Sequence, residues 1–304
     1  MAAGRMIGEG MRGAVRALTV TALIGLGVAS GAQAEGPAVP MAPNPQLPAR
    51  GAGVAQLAQT MMLSGVVDVM QAEGKAYGQQ LRDEMFLGRN GAEWEGIVGA
   101  IYDPARLLAD LERGLETELA GKPEVIRAAQ AFFGSPTGQK ILSLELEARR
   151  ALLDKAAEEA AKAAAGDLFA KDGPRIEALR RFAATNDLIE MNVMGGLNAN
   201  LAFYRGLADG GLFDGQMSES DMLSEVWAQE DQVRNDTEEW LWTYLVLAYQ
   251  PLSDEELQSY QKFSESAEGK QLNAALFAGF DAGFMRISRD LGRAAARMVQ
   301  GEDI

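Results

Sequence analysis

The segment FFGSPTGQKIL, residues 132–142, has the small residues and the lysine of a loop that binds phosphate. Such a loop follows the pattern G-x-x-x-x-G-K-[ST], because that spacing lets successive backbone N–H groups converge on the anion. Here one residue fewer separates Gly134 from Gly138, and Ile141 stands in place of the hydroxyl residue. The segment instead predicts a turn between two helices, with Ser135 as the N-cap of the second helix.

Paired carboxylates are the other groups that could do chemistry. A glycosidase needs two carboxyl groups about 5 to 10 Å apart across a sugar cleft, usually with one of them desolvated. Acidic helices produce neighbouring carboxylates by chance, so a solvated helix face is the preferred interpretation. A carboxylate-dependent hydrolase of envelope polymers is the alternative. The pairs are Glu145 with Glu147, Glu158 with Glu159, Glu238 with Glu239, and Glu255 with Glu256.

The chain contains no histidine and no cysteine. This composition excludes Ser-His-Asp and Cys-His mechanisms and the usual zinc and copper sites. Residues 209–221 have the length of a calcium loop, but Gly211 and Phe213 stand where oxygen ligands belong. We therefore predict no catalytic residues, no cofactor and no metal site. Any catalysis would depend on carboxylates, lysine, tyrosine or a Ser-Lys pair.

Methionines and aromatic residues recur on the apolar stripes of the sequence. Core packing of the methionines is the preferred interpretation over copper binding through their thioethers. The aromatic residues could line a groove for a peptide, a glycan or an apolar ligand, but core packing is again preferred. The methionines are Met61, Met62, Met70, Met85, Met191 and Met194. The aromatic residues are Trp227, Trp240, Trp242, Tyr244 and Tyr249.

The elements that must position these groups are helices. Beyond the N-terminal region, apolar residues recur at helical spacing almost without interruption. Asp103 predicts one helix start, and Ser253 with Glu256 predicts another as a capping box. The alanine-rich segment 139–165 predicts the longest helix. No alternating strand pattern is present, so the sequence predicts an all-α helical bundle.

The turn at residues 132–142 has a second copy. A constant shift of 131 positions relates the two copies and also relates apolar positions upstream. We predict two tandem, duplicated multi-helix units, residues 53–171 and 172–304. The alternative is two unrelated turns that use common cap chemistry. In both copies the phenylalanine ends a helix, the serine caps the next, and the glycine indicates close helix contact. The pairs are Phe132 with Phe263, Ser135 with Ser266, and Gly138 with Gly269.

The N-terminus predicts export. Residues 1–34 combine arginines, a short apolar run and an A-x-A site, so we expect a secretory signal peptide cleaved after Ala34. Residues 35–52 predict a proline-rich disordered linker. Cleavage removes three arginines and one glutamate, which changes the net charge from −15 to −17. The charge disfavours nucleic acid and anionic lipid. The apolar run is too short for a membrane span, so we expect a soluble periplasmic protein, with an uncleaved N-terminal anchor as the alternative.

The segment Leu247–Phe284 contains one motif of cap and turn residues: Ser253, Glu255, Glu256, Leu257, Phe263, Ser266, Gly269 and Lys270. On these residues the segment resembles the bacterial family known as domain of unknown function 2059. The resemblance extends more weakly to residues 122–146, and it implies exported, largely helical envelope proteins of Gram-negative bacteria without an established activity. Together with the export signal, it favours a non-enzymatic interaction or ligand-binding module. The partner would be an envelope protein or an apolar or small ligand.

Overall fold

The computed structural model describes residues 52–86 and 91–301, and its elements in these stretches are all α-helices. This confirms the all-α prediction, while residues 1–51 with the predicted signal peptide and nearly all of the linker lie outside the described residues. The helices are α1 (Ala52–Thr60), α2 (Leu63–Met85), α3 (Gly91–Ile101), α4 (Pro104–Glu118), α5 (Pro123–Phe133), α6 (Pro136–Ala151), α7 (Lys155–Lys171), α8 (Pro174–Thr185), α9 (Leu188–Asp209), α10 (Glu219–Trp227), α11 (Glu230–Tyr249), α12 (Asp254–Glu265) and α13 (Ala267–Gln300).

Helices α9 and α13 pack closely and run in the same direction. Gly206 lies against the backbone of Arg289, and further along both helices Gly210 lies against Ala296. A Cβ atom on Gly210 would come within 2.5 Å of the Ala296 Cβ, and one on Gly206 would overlap the Arg289 carbonyl oxygen. Glycine has no Cβ, so these two helices can bring their backbones into contact.

Helix α4 crosses another face of α13 in the opposite direction. Asp110 pairs with Arg286, whereas Gly114, further along α4, lies against Gly279, further back on α13. A Cβ atom on Gly114 would be 2.8 Å from the Gly279 Cα. The last helix of the chain therefore packs into the first half, and buried apolar residues of both halves form one cluster. The hydrophobic core continues across the predicted boundary between residues 171 and 172.

The two similar turns have the same hydrogen bonds. The Ser135 hydroxyl oxygen accepts the Gly138 N–H at 3.1 Å, and the Ser266 hydroxyl oxygen accepts the Gly269 N–H at 3.0 Å. These serines begin α6 and α13 as predicted. A Cβ atom on either glycine would overlap a carbonyl oxygen of the preceding helix. The glycines are therefore in the close helix contact that their position indicated.

The two turns also contact each other through their phenylalanines. The rings of Phe132 and Phe263 stack with centroids 4.4 Å apart and an angle of 5° between their planes. Tyr260 stacks on Phe132 as well, at 5.7 Å. The equal geometry of the turns is what a duplication requires. The duplication itself stays a prediction, because the alternative of common cap chemistry requires the same hydrogen bonds.

Removal of either serine cap is expected to destabilise the fold. We expect Ser135→Ala and Ser266→Ala each to lower the free energy of unfolding by about 1 kcal/mol, because the N–H group of a helix start loses its acceptor. Ser220→Ala, at an exposed position of α10, is the control and should change the free energy little. Urea denaturation of the three variants measures the effect. Equal midpoints for all three would contradict the cap assignment.

The prediction of one long helix over residues 139–165 is wrong. Helix α6 ends at Ala151, and α7 begins at Lys155 after Asp154, whose carboxylate accepts the Ala157 N–H at 2.9 Å. The acidic side chain is thus a helix cap within an otherwise helical sequence. The longest described helix is α13, with 34 residues.

Candidate functional site

The structure separates the five aromatic residues that were considered as a groove or as core. Trp240 and Tyr244 are buried and stack at 4.9 Å, and Tyr249 is fully buried. Trp242 packs against α7. Trp227 of α10 is the exposed member, with 51% of its surface accessible. Core packing therefore describes Trp240, Tyr244 and Tyr249, whereas Trp227 requires another explanation.

A buried polar cluster joins α6 to α11 and α12. The Tyr249 and Tyr260 hydroxyls donate to the same carboxylate oxygen of Glu145 at 2.7 and 3.2 Å, and the Tyr244 hydroxyl donates to the Glu145 carbonyl at 3.4 Å. Burial raises the pKa of Glu145 to about 7, although the tyrosine hydrogen bonds act in the opposite direction. The sequence interpretation of Glu145 and Glu147 as a solvated pair is wrong for Glu145, while Glu147 is exposed.

An ion pair lies one turn further along α6 than Glu145. The Arg149 guanidinium, 7% exposed, donates from Nε and Nη2 to the two carboxylate oxygens of Glu73 at 2.8 Å each. This bidentate pair connects α6 to α2 and satisfies a charge that would otherwise be costly to bury. Glu73 and Glu145 are thus both engaged by protein groups. Sequence reasoning missed this network, although Glu145 and Arg149 follow Ile141 on the buried face of α6.

Four exposed apolar side chains on α9 and α10 form a surface that we name the apolar shelf. It consists of Met191 and Met194 on α9 and Leu223 and Trp227 on α10, with exposed fractions of 37%, 45%, 37% and 51%. Core packing was predicted for both methionines, and this prediction is wrong, whereas Met61 and Met70 are buried. The sequence periodicity placed Met194 on an apolar helix face, but it did not show that this face is exposed at Met194.

Two ion pairs show that α10 and the start of α11 run beside α9. At one end Arg205 of α9 pairs with Glu219, which is on the same face of α10 as Leu223 and Trp227. At the other end Glu190 accepts a hydrogen bond from Arg234 of α11 at 2.9 Å. Glu190 and Arg205 are as far apart in sequence as their partners Arg234 and Glu219. The chain from Glu219 to Arg234 therefore runs antiparallel beside α9, with Trp227 level with about Leu197, one turn from Met194, and Leu223 level with about Leu201.

The surroundings of the shelf are acidic. From Asp187 to Asp236 the chain has ten carboxylates and two arginines, a net charge of −8. The two arginines are Arg205 and Arg234, and both are paired with glutamates. Hydrogen bonds from Arg234 lower the pKa of Glu190, so this carboxylate stays ionised. The shelf is therefore apolar at its centre and negatively charged around it.

A separate groove of about 280 Å³ lies between α8 and α12. Its lining includes the charged or amide side chains of Arg181, Asp254, Glu255 and Gln258. Arg175 holds Asp254 through a hydrogen bond of 2.9 Å. Pro174, Ala178 and Leu257 also line the groove, so charged and apolar groups both face it.

Comparison with known proteins gives one family match. The chain is similar over residues 122–167 to a family described as an uncharacterized protein conserved in bacteria, domain of unknown function 2059. The match covers α5, α6 and most of α7, and thus the first of the two turns together with Glu145 and Arg149. It falls on the copy for which the sequence resemblance was weaker. No curated protein and no solved structure matches the chain.

None of the described helices is both long enough and apolar enough to cross a membrane.

Proposed function

We propose that this protein is exported to the periplasm and acts there as a non-enzymatic interaction protein that binds its partner on the apolar shelf. The basic, apolar and A-x-A segments before Ala34 support export. The exposed side chains of Met191, Met194, Leu223 and Trp227 carry the interaction proposal. Neighbouring exposed apolar side chains bordered by polar residues are typical of a binding site.

The composition of the shelf also suits a protein partner. Tryptophan is enriched among the residues that contribute most to protein interfaces, and Trp227 has half of its surface available for burial. Methionine side chains at positions 191 and 194 adapt to the shape of a partner. Burying such side chains contributes about 25 cal/mol for each Å² of apolar surface, and the cost of ordering the two partners offsets part of this contribution. Four large side chains can therefore supply a substantial part of the binding free energy.

A hydrolase of envelope polymers is supported less well. Its strongest support is Glu145, because a pKa of about 7 suits a general acid. However, one Glu145 oxygen accepts hydrogen bonds from two buried tyrosines, and both Glu73 oxygens are held by Arg149. A binding site for a small ligand would be the groove between α8 and α12. Its lining residues include neither methionine nor an aromatic residue, so it does not match the apolar carrier considered from the sequence.

Site-specific photocrosslinking in the native bacterium tests the interaction. A photoreactive phenylalanine derivative replaces Trp227 in the full-length chain, and the same replacement at Leu153 is the matched control, since Leu153 is 45% exposed but lies between α6 and α7. We expect a discrete crosslinked product from position 227 and none from position 153. The product should weaken when Met194→Glu is added. Absence of a product at 227, or equal products at both positions, would contradict the proposal.

A further inference from the structure

We infer that the apolar shelf receives a cationic amphipathic helix of the partner. This inference rests on the proposed interaction through the shelf and specifies the chemistry of the partner. Three properties of the surface support it: the arrangement of its apolar side chains, the charge around them, and the pairing of the nearby arginines.

The arrangement of the apolar side chains fits a helix. Leu223 and Trp227 are one helical turn apart on α10, and Met191 and Met194 are one helical turn apart on α9. The ion pairs Arg205–Glu219 and Arg234–Glu190 hold α10 and the start of α11 beside α9, with Trp227 about one turn from Met194 along α9. At 1.5 Å per residue this antiparallel stretch is on the order of 20 Å long, which accommodates about four helical turns. An amphipathic helix binds such a surface with its apolar face.

The charge around the shelf selects a basic partner. Asp187, Glu225 and Asp231 are exposed, and no ion pair joins them to a cation among the described residues. Lysines or arginines beside the apolar face of a bound helix would meet these carboxylates. Complementary charge accelerates association and rejects partners of the same sign. A second copy of this chain would bring two acidic surfaces together and is therefore disfavoured.

The arginines near the shelf do not offset this preference, because each of them is paired. Arg205 is paired with Glu219, and Arg234 is paired with both Glu190 and Glu230. Arg289 and Arg293 of α13, at the Glu219 end, are paired with Asp209. An acidic partner would have to compete with these carboxylates for each guanidinium. A basic partner can use the remaining carboxylates without breaking any of these pairs. The arrangement thus favours a cationic helix over an acidic one of equal apolar area.

Peptide binding to the mature protein, residues 35–304, tests the inference. The probe is a fluorescently labelled amphipathic peptide of leucine and lysine, and fluorescence anisotropy measures its Kd at low and high salt. One control replaces lysine with glutamate, and another scrambles the sequence so that composition is kept and the apolar face is lost. We expect binding of the Leu/Lys peptide that weakens as salt rises, and at least about tenfold weaker binding of both controls.

Variants of the protein locate the binding. Trp227→Ala combined with Met194→Ala should weaken peptide binding by about tenfold or more, because truncated anchors at an interface centre typically cost this much. Leu153→Ala is the matched control and should leave Kd unchanged. Glu225→Gln with Asp231→Asn should reduce the salt dependence. Circular dichroism and urea midpoints confirm that each variant is folded, since the substituted side chains are exposed.

Each outcome decides the inference. Equal binding by the native protein and the Trp227–Met194 variant, or equal binding of the Leu/Lys and Leu/Glu peptides, would overturn it. Self-association that is abolished by the same variant and blocks the peptide would assign the shelf to a second copy instead. Crosslinking at position 227 without peptide binding would reject the cationic helix and leave the interaction proposal standing. Peptide binding without crosslinking would support the chemistry of the shelf and reject the interaction in the cell.

Discussion

Gly292→Ala is expected to lower the free energy of unfolding by about 3 kcal/mol. An alanine Cβ at this position would overlap the carbonyl oxygen of Phe203 and would lie 3.0 Å from the Leu207 nitrogen and 3.1 Å from the Gly206 Cα. All three atoms belong to the backbone of α9, so none can rotate away as a side-chain end would. The helices must separate along their contact, and overpacking of this kind costs about 1–3 kcal/mol or more.

Gly283→Ala is the matched control for this prediction. Gly283 is also a buried glycine within α13, but no atom outside its own local helix lies within 4 Å of the position that a Cβ would occupy. Alanine is favoured over glycine in a helix interior by about 1 kcal/mol, so this variant should be as stable as the native protein or more so. Urea denaturation measures both. A similar loss of stability in the two variants would show that the contact with α9 does not determine the effect.

Local chemistry made several elements of the fold predictable. Four helix caps were predictable, because a side-chain oxygen just before a helical pattern accepts an N–H group of the first turn. They are Asp103, Ser135, Ser253 and Ser266. Asp154 has the same cap chemistry but was missed, because the alanine-rich sequence on both sides continues the helical pattern. A cap inside a uniform pattern cannot be separated from an exposed acidic residue without knowing where the helix must bend.

The candidate sites depended on contacts that periodicity does not report. A stripe shows which residues share a helix face, but what covers that face is set by distant parts of the chain. Met194 follows the same spacing as the buried Leu197, yet α10 leaves it exposed. Glu145 was interpreted as a surface acid because its partner Tyr249 is 104 residues away in sequence. Neither outcome follows from local residue types.

The pH dependence of stability is expected to depend strongly on Glu145. Its folded pKa is raised from an ordinary value near 4.5 to about 7, so the folded state holds this proton more tightly than the unfolded chain does. The stabilisation that the protonated Glu145 gives to the folded state is complete below about pH 4.5 and is lost as the pH rises to about 7. We expect the native protein to lose about 2 kcal/mol relative to Glu145→Gln between about pH 5 and pH 8.

The comparison with Glu145→Gln isolates this one carboxyl group. Glutamine keeps the shape and can still accept a hydrogen bond from Tyr249 or Tyr260, but it does not ionise. The groups that face Glu145 are these tyrosines and Tyr244, together with the neighbouring Arg149–Glu73 pair, and all are retained in the variant. Ionised acids elsewhere, such as Glu190, titrate equally in both proteins.

Glu147→Gln is the control for the loss of a negative charge from α6, because Glu147 is exposed. Urea denaturation across the pH range should give a Glu147→Gln profile parallel to that of the native protein. The Glu145→Gln profile should be flatter between about pH 5 and pH 7 and higher above it. If all three profiles are parallel, ionisation of Glu145 does not lower the stability of the folded protein. The tyrosine hydrogen bonds, rather than the proton on Glu145, then stabilise the contact of α6 with α11 and α12.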